Sequence, residues 1–145
     1  MDMERRAQLI EKIKQQGLPQ PTGQGPYAVV SLEDFFEGND DDGSIGCNLT
    51  PLLGPQFFYK TLREIRARPE VHEIFVAFHF LEKGDPSEPW PFSDTLFVVT
   101  SASREQLASW VEPLQPDEVS DVFHFNEAGR VMAPPGTKVY CVWWD

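Results

Sequence analysis

Glu73-Ile-Phe-Val-Ala-Phe-His-Phe-Leu81 and Asp94-Thr-Leu-Phe-Val-Val-Thr100 decide the fold. Both runs are almost wholly apolar and rich in β-branched or aromatic residues, the composition of strands rather than helices. A strand with one wet face alternates apolar and polar residues. A run that is apolar on both faces has to be covered on both, which places these two in the middle of a sheet. Neither approaches the ~20 residues needed to cross a bilayer.

The covering layer is read from the flanking segments. Residues 55–68 predict a helix: Pro55 suits the first turn, Phe58, Leu62 and Ile65 fall at i, i+4 and i+7, and Pro69 follows the end. Ser103 and Gln106 make a capping box for a second helix with Leu107, Trp110, Val111 and Leu114 on one face. Outside these lie a helix over 3–16 with a thin stripe (Leu9, Ile10, Ile13) stopped by Gly17, and a Gly/Pro linker over 17–26. Tyr27–Val30 reads as a short strand. Ser31 to Asp34 then resembles a capping box opening a turn or two of helix through Phe36. Val122–Phe125 reads as a short strand and Lys138–Trp144 as a final one.

From Ile45 the order is strand, helix, strand, strand, helix, strand, with one more strand at the end. The expected class is α+β: a mainly antiparallel sheet with two helices packed on one face, plus an N-terminal helix. A ferredoxin-like split βαβ is one topology this order allows. The expected division is residues 1–26 as helix and linker and 27–145 as a single α+β domain.

Length fits that picture, since 145 residues suit one domain, and 41% hydrophobic content supplies a core. Twelve Lys and Arg against 23 Asp and Glu leave a net charge of −11. That argues against a general nucleic-acid partner, which needs cations to neutralise phosphates. The start, Met1-Asp-Met-Glu-Arg-Arg6, is charged with no apolar stretch after it, so a cytoplasmic location and no membrane partner are expected. Cys47 and Cys141 belong to no CxxC pair and read as two reduced structural thiols.

Catalytic signals are weak, and no catalytic residue, metal ligand or cofactor is assigned. The acidic loop 37–46 fails the EF-hand pattern: with Gly43 at position 6, Gly38 stands at position 1 and Leu49 at position 12. Gly23-Gln-Gly25 has neither a preceding strand nor a following Lys-Ser/Thr, so it is no phosphate loop. There is no GxSxG elbow and no HExxH. His79 and His124 each sit between two phenylalanines. Adjacent strands could bring them together on a metal or substrate, and hydrogen-bonded members of a sheet is the reading the pattern favours.

The charge map points instead to a protein partner. Residues 17–58 hold Glu33, Asp34, Glu37, Asp40, Asp41 and Asp42 and no Lys or Arg. Residues 59–68 then run at +3, and 69–101 at −5. So uneven a field speeds encounter with a complementary surface. Glu37, Asp40, Asp41 and Asp42 are therefore the candidate contacts for a basic partner, against the plainer reading of a solvated loop. Trp90, in a proline-rich loop, is either an exposed anchor or a plug for the end of the core.

Four segments carry a resemblance: Val30-Ser-Leu-Glu-Asp-Phe-Phe-Glu-Gly-Asn39, Gly43-Ser-Ile-Gly-Cys-Asn-Leu49, Trp90-Pro-Phe-Ser-Asp94 and Val142-Trp-Trp-Asp145. Together they resemble small acidic bacterial proteins of the polymorphic-toxin immunity type. The resemblance implies a compact, cytoplasmic, cofactor-free inhibitor of one cognate toxin, and it supplies no catalytic residues to carry over.

Overall fold

The computed structural model describes residues 1–18, 25–81, 90–121 and 128–145. The elements are α1 (Met3–Gln15), β1 (Ala28–Ser31), α2 (Leu32–Phe36), α3 (Pro55–Arg66), β2 (Val71–Phe78), β3 (Thr95–Thr100), α4 (Arg104–Val111), a 3-10 turn (Glu112–Leu114), β4 (Glu118–Asp121) and β5 (Lys138–Trp143). The class is the expected α+β.

The local signals operate as chemistry predicts. Ser103 caps α4 by accepting the Gln106 amide, and the Gln106 side chain returns to the Ser103 amide, a complete capping box. Ser31 Oγ likewise accepts the Asp34 amide and starts α2. Asp2 caps α1, and Gly17 follows its end at φ 98°.

Among the described residues the five strands run in the order β1-β2-β3-β5-β4, and every pairing is antiparallel. β2 and β3 occupy the interior, as their double-sided apolarity requires, and all six residues of β3 are buried. A split βαβ joins, through its helix, two parallel strands with an antiparallel strand between them; here β1 and β2, joined through α2 and α3, are direct neighbours and antiparallel. The sheet is therefore not ferredoxin-like.

Alternation splits the sheet into two faces. Val30, Val76, Leu96, Val98 and Val142 point at the helices and meet Phe35, Phe58, Leu62, Leu107 and Trp144 in one buried cluster. Each such side chain, fully buried, contributes about 1.5–3 kcal/mol of apolar transfer. The opposite face holds Phe97 and Val99, both 0% exposed, with the Tyr27 ring 5.8 Å from that of Phe97. The core reaches past the sheet into α1, whose Leu9 and Ile13 are also buried.

Two expectations are corrected or displaced. No strand starts at Ile45: residues 41–54 form turns. Asn39 Oδ1 accepts the Asp41 amide, Asp41 Oδ1 accepts the Gly43 amide, and Gly46 sits at φ 66°. Backbone donors committed to turns cannot pair in a ladder. The strand expected at Val122–Phe125 falls within 122–127, outside the described residues, and β4 ends just before it.

Candidate functional site

The acidic segment from β1 to residue 46 is largely neutralised from within. Arg66 of α3 forms a bidentate pair with Glu33, Lys12 of α1 meets Asp34 at 2.8 Å, and Arg5 meets Glu37 at 2.7 Å. Asp40 pairs with the Met1 amine at 2.9 Å. The hydrogen bond from that amine holds the Asp40 carboxyl below its usual range, and the Arg66 hydrogen bonds do the same for Glu33. Glu37 also accepts the Tyr59 hydroxyl.

Asp41 faces inward. Its Oδ2 accepts the Trp90 amide at 3.0 Å and its Oδ1 the Gly43 amide at 2.9 Å, so it ties the loop to the chain ahead of β3. Trp90 itself is 2% exposed and fills the end of the core, the second of its two readings; it offers no projecting anchor. Asp42 stands exposed. Of the four carboxylates singled out in the loop, three have partners and, among the described residues, Asp42 has none.

A second acidic surface lies elsewhere. Between α4 and β4 runs a groove of about 500 Å³ lined in part by Glu105, Glu112, Asp117, Glu118 and Val119. Glu105 lies on α4 and Glu112 opens the 3-10 turn that follows it, and Asp117 and Glu118 stand at the start of the edge strand. All four are exposed, and residues 104–121 carry five carboxylates against Arg104 alone. Arg104 lies 3.7 Å from Glu105 at an exposed position, where such a pair is worth about 0–1 kcal/mol. Asp117 accepts from Asn48 and from the Asp145 amide, which fixes the carboxylate without neutralising it.

His79 meets Asp94 at 3.5 Å on the sheet face away from the helices, with the Tyr27 ring 5.3 Å and the Phe80 ring 4.6 Å from the imidazole. Burial works to raise the Asp94 carboxyl. Hydrogen bonds from His79, the Thr95 hydroxyl and Trp143 outweigh it and hold the group below its usual range. His124 lies outside the described residues. Among the described residues no three His, Cys, Asp or Glu side chains gather as a metal site would require. Cys47 is exposed and Cys141 half-buried, and neither is in a disulfide among the described residues. Among the described residues no helix is long and apolar enough to cross a membrane.

The model of the uncharacterized protein YfbO family matches residues 4–143. This chain belongs to the YfbO family. A relative described as "Uncharacterized protein YfbO" from Escherichia coli (strain K12) is 38% identical over 122 residues, covering 83% of this chain and 84% of that protein. No solved structure matches. The YfbO match begins inside α1 and ends at the last residue of β5, so the N-terminal helix belongs to the family's chain along with the sheet.

In this YfbO family member the groove between α4 and β4 is the feature that sequence reasoning missed. Its signal was present as carboxylates seven apart, on α4 and in the 3-10 turn after it, and a charged edge strand. Scattered through a chain with 23 acidic residues, they form no run. The contiguous Asp40-Asp-Asp42 run draws the eye and proves to be mostly committed internally.

Proposed function

We propose that this chain is a non-enzymatic interaction protein that binds a basic protein partner through the acidic groove between α4 and β4. The observation that supports this is the concentration of exposed carboxylates there with a single solvated counter-ion. Such a surface accelerates association with a cationic patch and makes the rate depend on salt. Asp42 and the outer edge of the 37–42 loop extend the field without forming the main contact. Inhibition of a cognate toxin, as the immunity-type resemblance implies, is the finer form of the proposal.

The test begins with purification of the full chain at low salt from a bacterium that carries its gene, and identification of what comes with it. The proposal expects a basic protein whose association rate falls steeply with salt. The rate should also fall about tenfold when Glu105, Glu112 and Glu118 are replaced by amides. For the toxin form, co-expression of this chain restores growth to cells producing the partner. A partner whose association ignores both salt and the three substitutions overturns the reading, as does chemical turnover of that partner by this chain.

A further inference from the structure

The chain has almost twice as many acids as bases, so each base has carboxylates to choose from. Arg5, Lys12 and Arg66 are all paired with them. Three cations of the α3 segment are not: among the described residues Lys60, Arg63 and Arg68 form no ion pair. Arg63 and Arg68 lie on aromatic rings instead. The Arg63 guanidinium sits 4.2 Å from the Tyr59 ring centroid, and Tyr59 in turn stacks on the buried Phe36 at 5.4 Å and 9°. The Arg68 guanidinium sits 4.4 Å from the centroid of Trp110 on α4.

Stacking holds a guanidinium flat and restricts its rotamers while leaving its N–H edge unspent. These two forks are therefore oriented before any ligand arrives, which lowers the entropy lost on binding. Lys60 stands one turn before Arg63 on the solvent side of α3. At the start of the helix the same side exposes Phe57 (42%), preceded by Leu52 (47%), both large apolar groups in water.

We infer that the outward face of α3 and the turn that follows it, with Phe57, Lys60 and Arg63 on the helix and Arg68 just past its end, dock an acidic protein segment carrying an apolar anchor. The argument for that occupant is charge complementarity. Residues 59–68 run at +3 in the sequence; with Arg66 spent on Glu33, Lys60, Arg63 and Arg68 against Glu64 leave a +2 island in a −11 chain, and planar forks match carboxylates two oxygens at a time. A nucleic acid would bring dense charge against the net −11 of the whole, with three cations to hold it. Glu64 shares the face and selects against a ligand that is uniformly anionic. This surface is separate from the groove between α4 and β4 and opposite to it in sign.

The test titrates the full-length, isotope-labelled chain with a short glutamate-rich peptide carrying two phenylalanines. Nuclear magnetic resonance follows the backbone amides of α3 and the Nε–H signals of Arg63 and Arg68. The expected result is shifts confined to that face. Binding weakens about tenfold in Arg63→Gln/Arg68→Gln, the loss of one charge-assisted contact or more. Arg63→Lys keeps the charge and the fold but loses the stacked fork, and it also weakens binding. The same peptide with glutamine for glutamate fails to bind. The inference is overturned if the shifts lie elsewhere or if the double variant binds as well as the parent. It is overturned too if a short single-stranded oligonucleotide or anionic lipid vesicles bind more tightly than the peptide. Sedimentation showing that the face instead joins two copies of the chain would likewise overturn it.

Discussion

Replacing Asp41 by asparagine separates a carboxylate that builds the fold from one that merely decorates it. Asp41 accepts two backbone amides, those of Trp90 and Gly43, one on each carboxylate oxygen. Asparagine keeps one oxygen and turns an NH₂ toward the other amide, so a donor faces a donor. The Trp90 backbone amide belongs to a residue that is 2% exposed and anchors the entry to β3. A hydrogen bond to a charged group is worth about 1.5–3 kcal/mol, and a stranded buried donor costs about 1–3 kcal/mol. We expect Asp41→Asn to lose about 2 kcal/mol. For a domain of this size that lowers Tm by about 4–8 °C. Asp42→Asn, one residue away and exposed, should change stability by less than about 0.5 kcal/mol. Urea denaturation reads both, as a fall in midpoint at constant slope for the first and no change for the second. Equal midpoints for the two variants would refute the inward role of Asp41.

Acid should act through Glu33. Its folded pKa is lowered, first by the Arg66 hydrogen bonds, so the pair adds stability above the ordinary value of 4.5 and loses it as pH falls through the folded value. Glu33→Gln should therefore be less stable than the parent at pH 7, with the gap closing in acid; a gap constant from pH 7 to pH 3 would contradict this. Gly46→Ala combines a φ of 66° with a Cβ placed 2.8 Å from Cζ of the fully buried Phe58, and should cost more than about 2 kcal/mol by thermal denaturation. Gln16→Ala removes the side-chain amide that bonds both the N–H and C=O of Val29, at 2.8 and 2.9 Å. Hydrogen exchange at Val29 should accelerate strongly while global stability falls only about 1 kcal/mol.

The sequence carried the elements with strong local chemistry. Pro55 at a first turn, the Ser103/Gln106 box and the apolar runs in β2 and β3 each specify their element without help from the rest of the chain. Ile45 misled because its burial, at 1% exposed, comes from a loop packed inward, and apolarity alone does not distinguish that from a strand. Strand order was invisible because β1 reaches β2 across two helices, a pairing set by tertiary packing rather than by any local pattern. The site was legible only in sign. Net charge gave a basic partner as the expectation, but which carboxylates are free depends on where Arg5, Lys12 and Arg66 land, and those pairings join residues 22 to 33 positions apart. The stacked arginines were hidden for the same reason: Trp110 was read as a core residue of α4, and nothing in its spacing from Arg68 says that a cation lies on its ring.

Gln16 has a consequence for behaviour at high concentration. By satisfying Val29 it takes up the outermost open position along β1, while the other border strand presents Glu118 and Asp121 to any newcomer. Neither rim of the sheet is thus a template for lateral growth, so crowding should not string copies into cross-β ribbons.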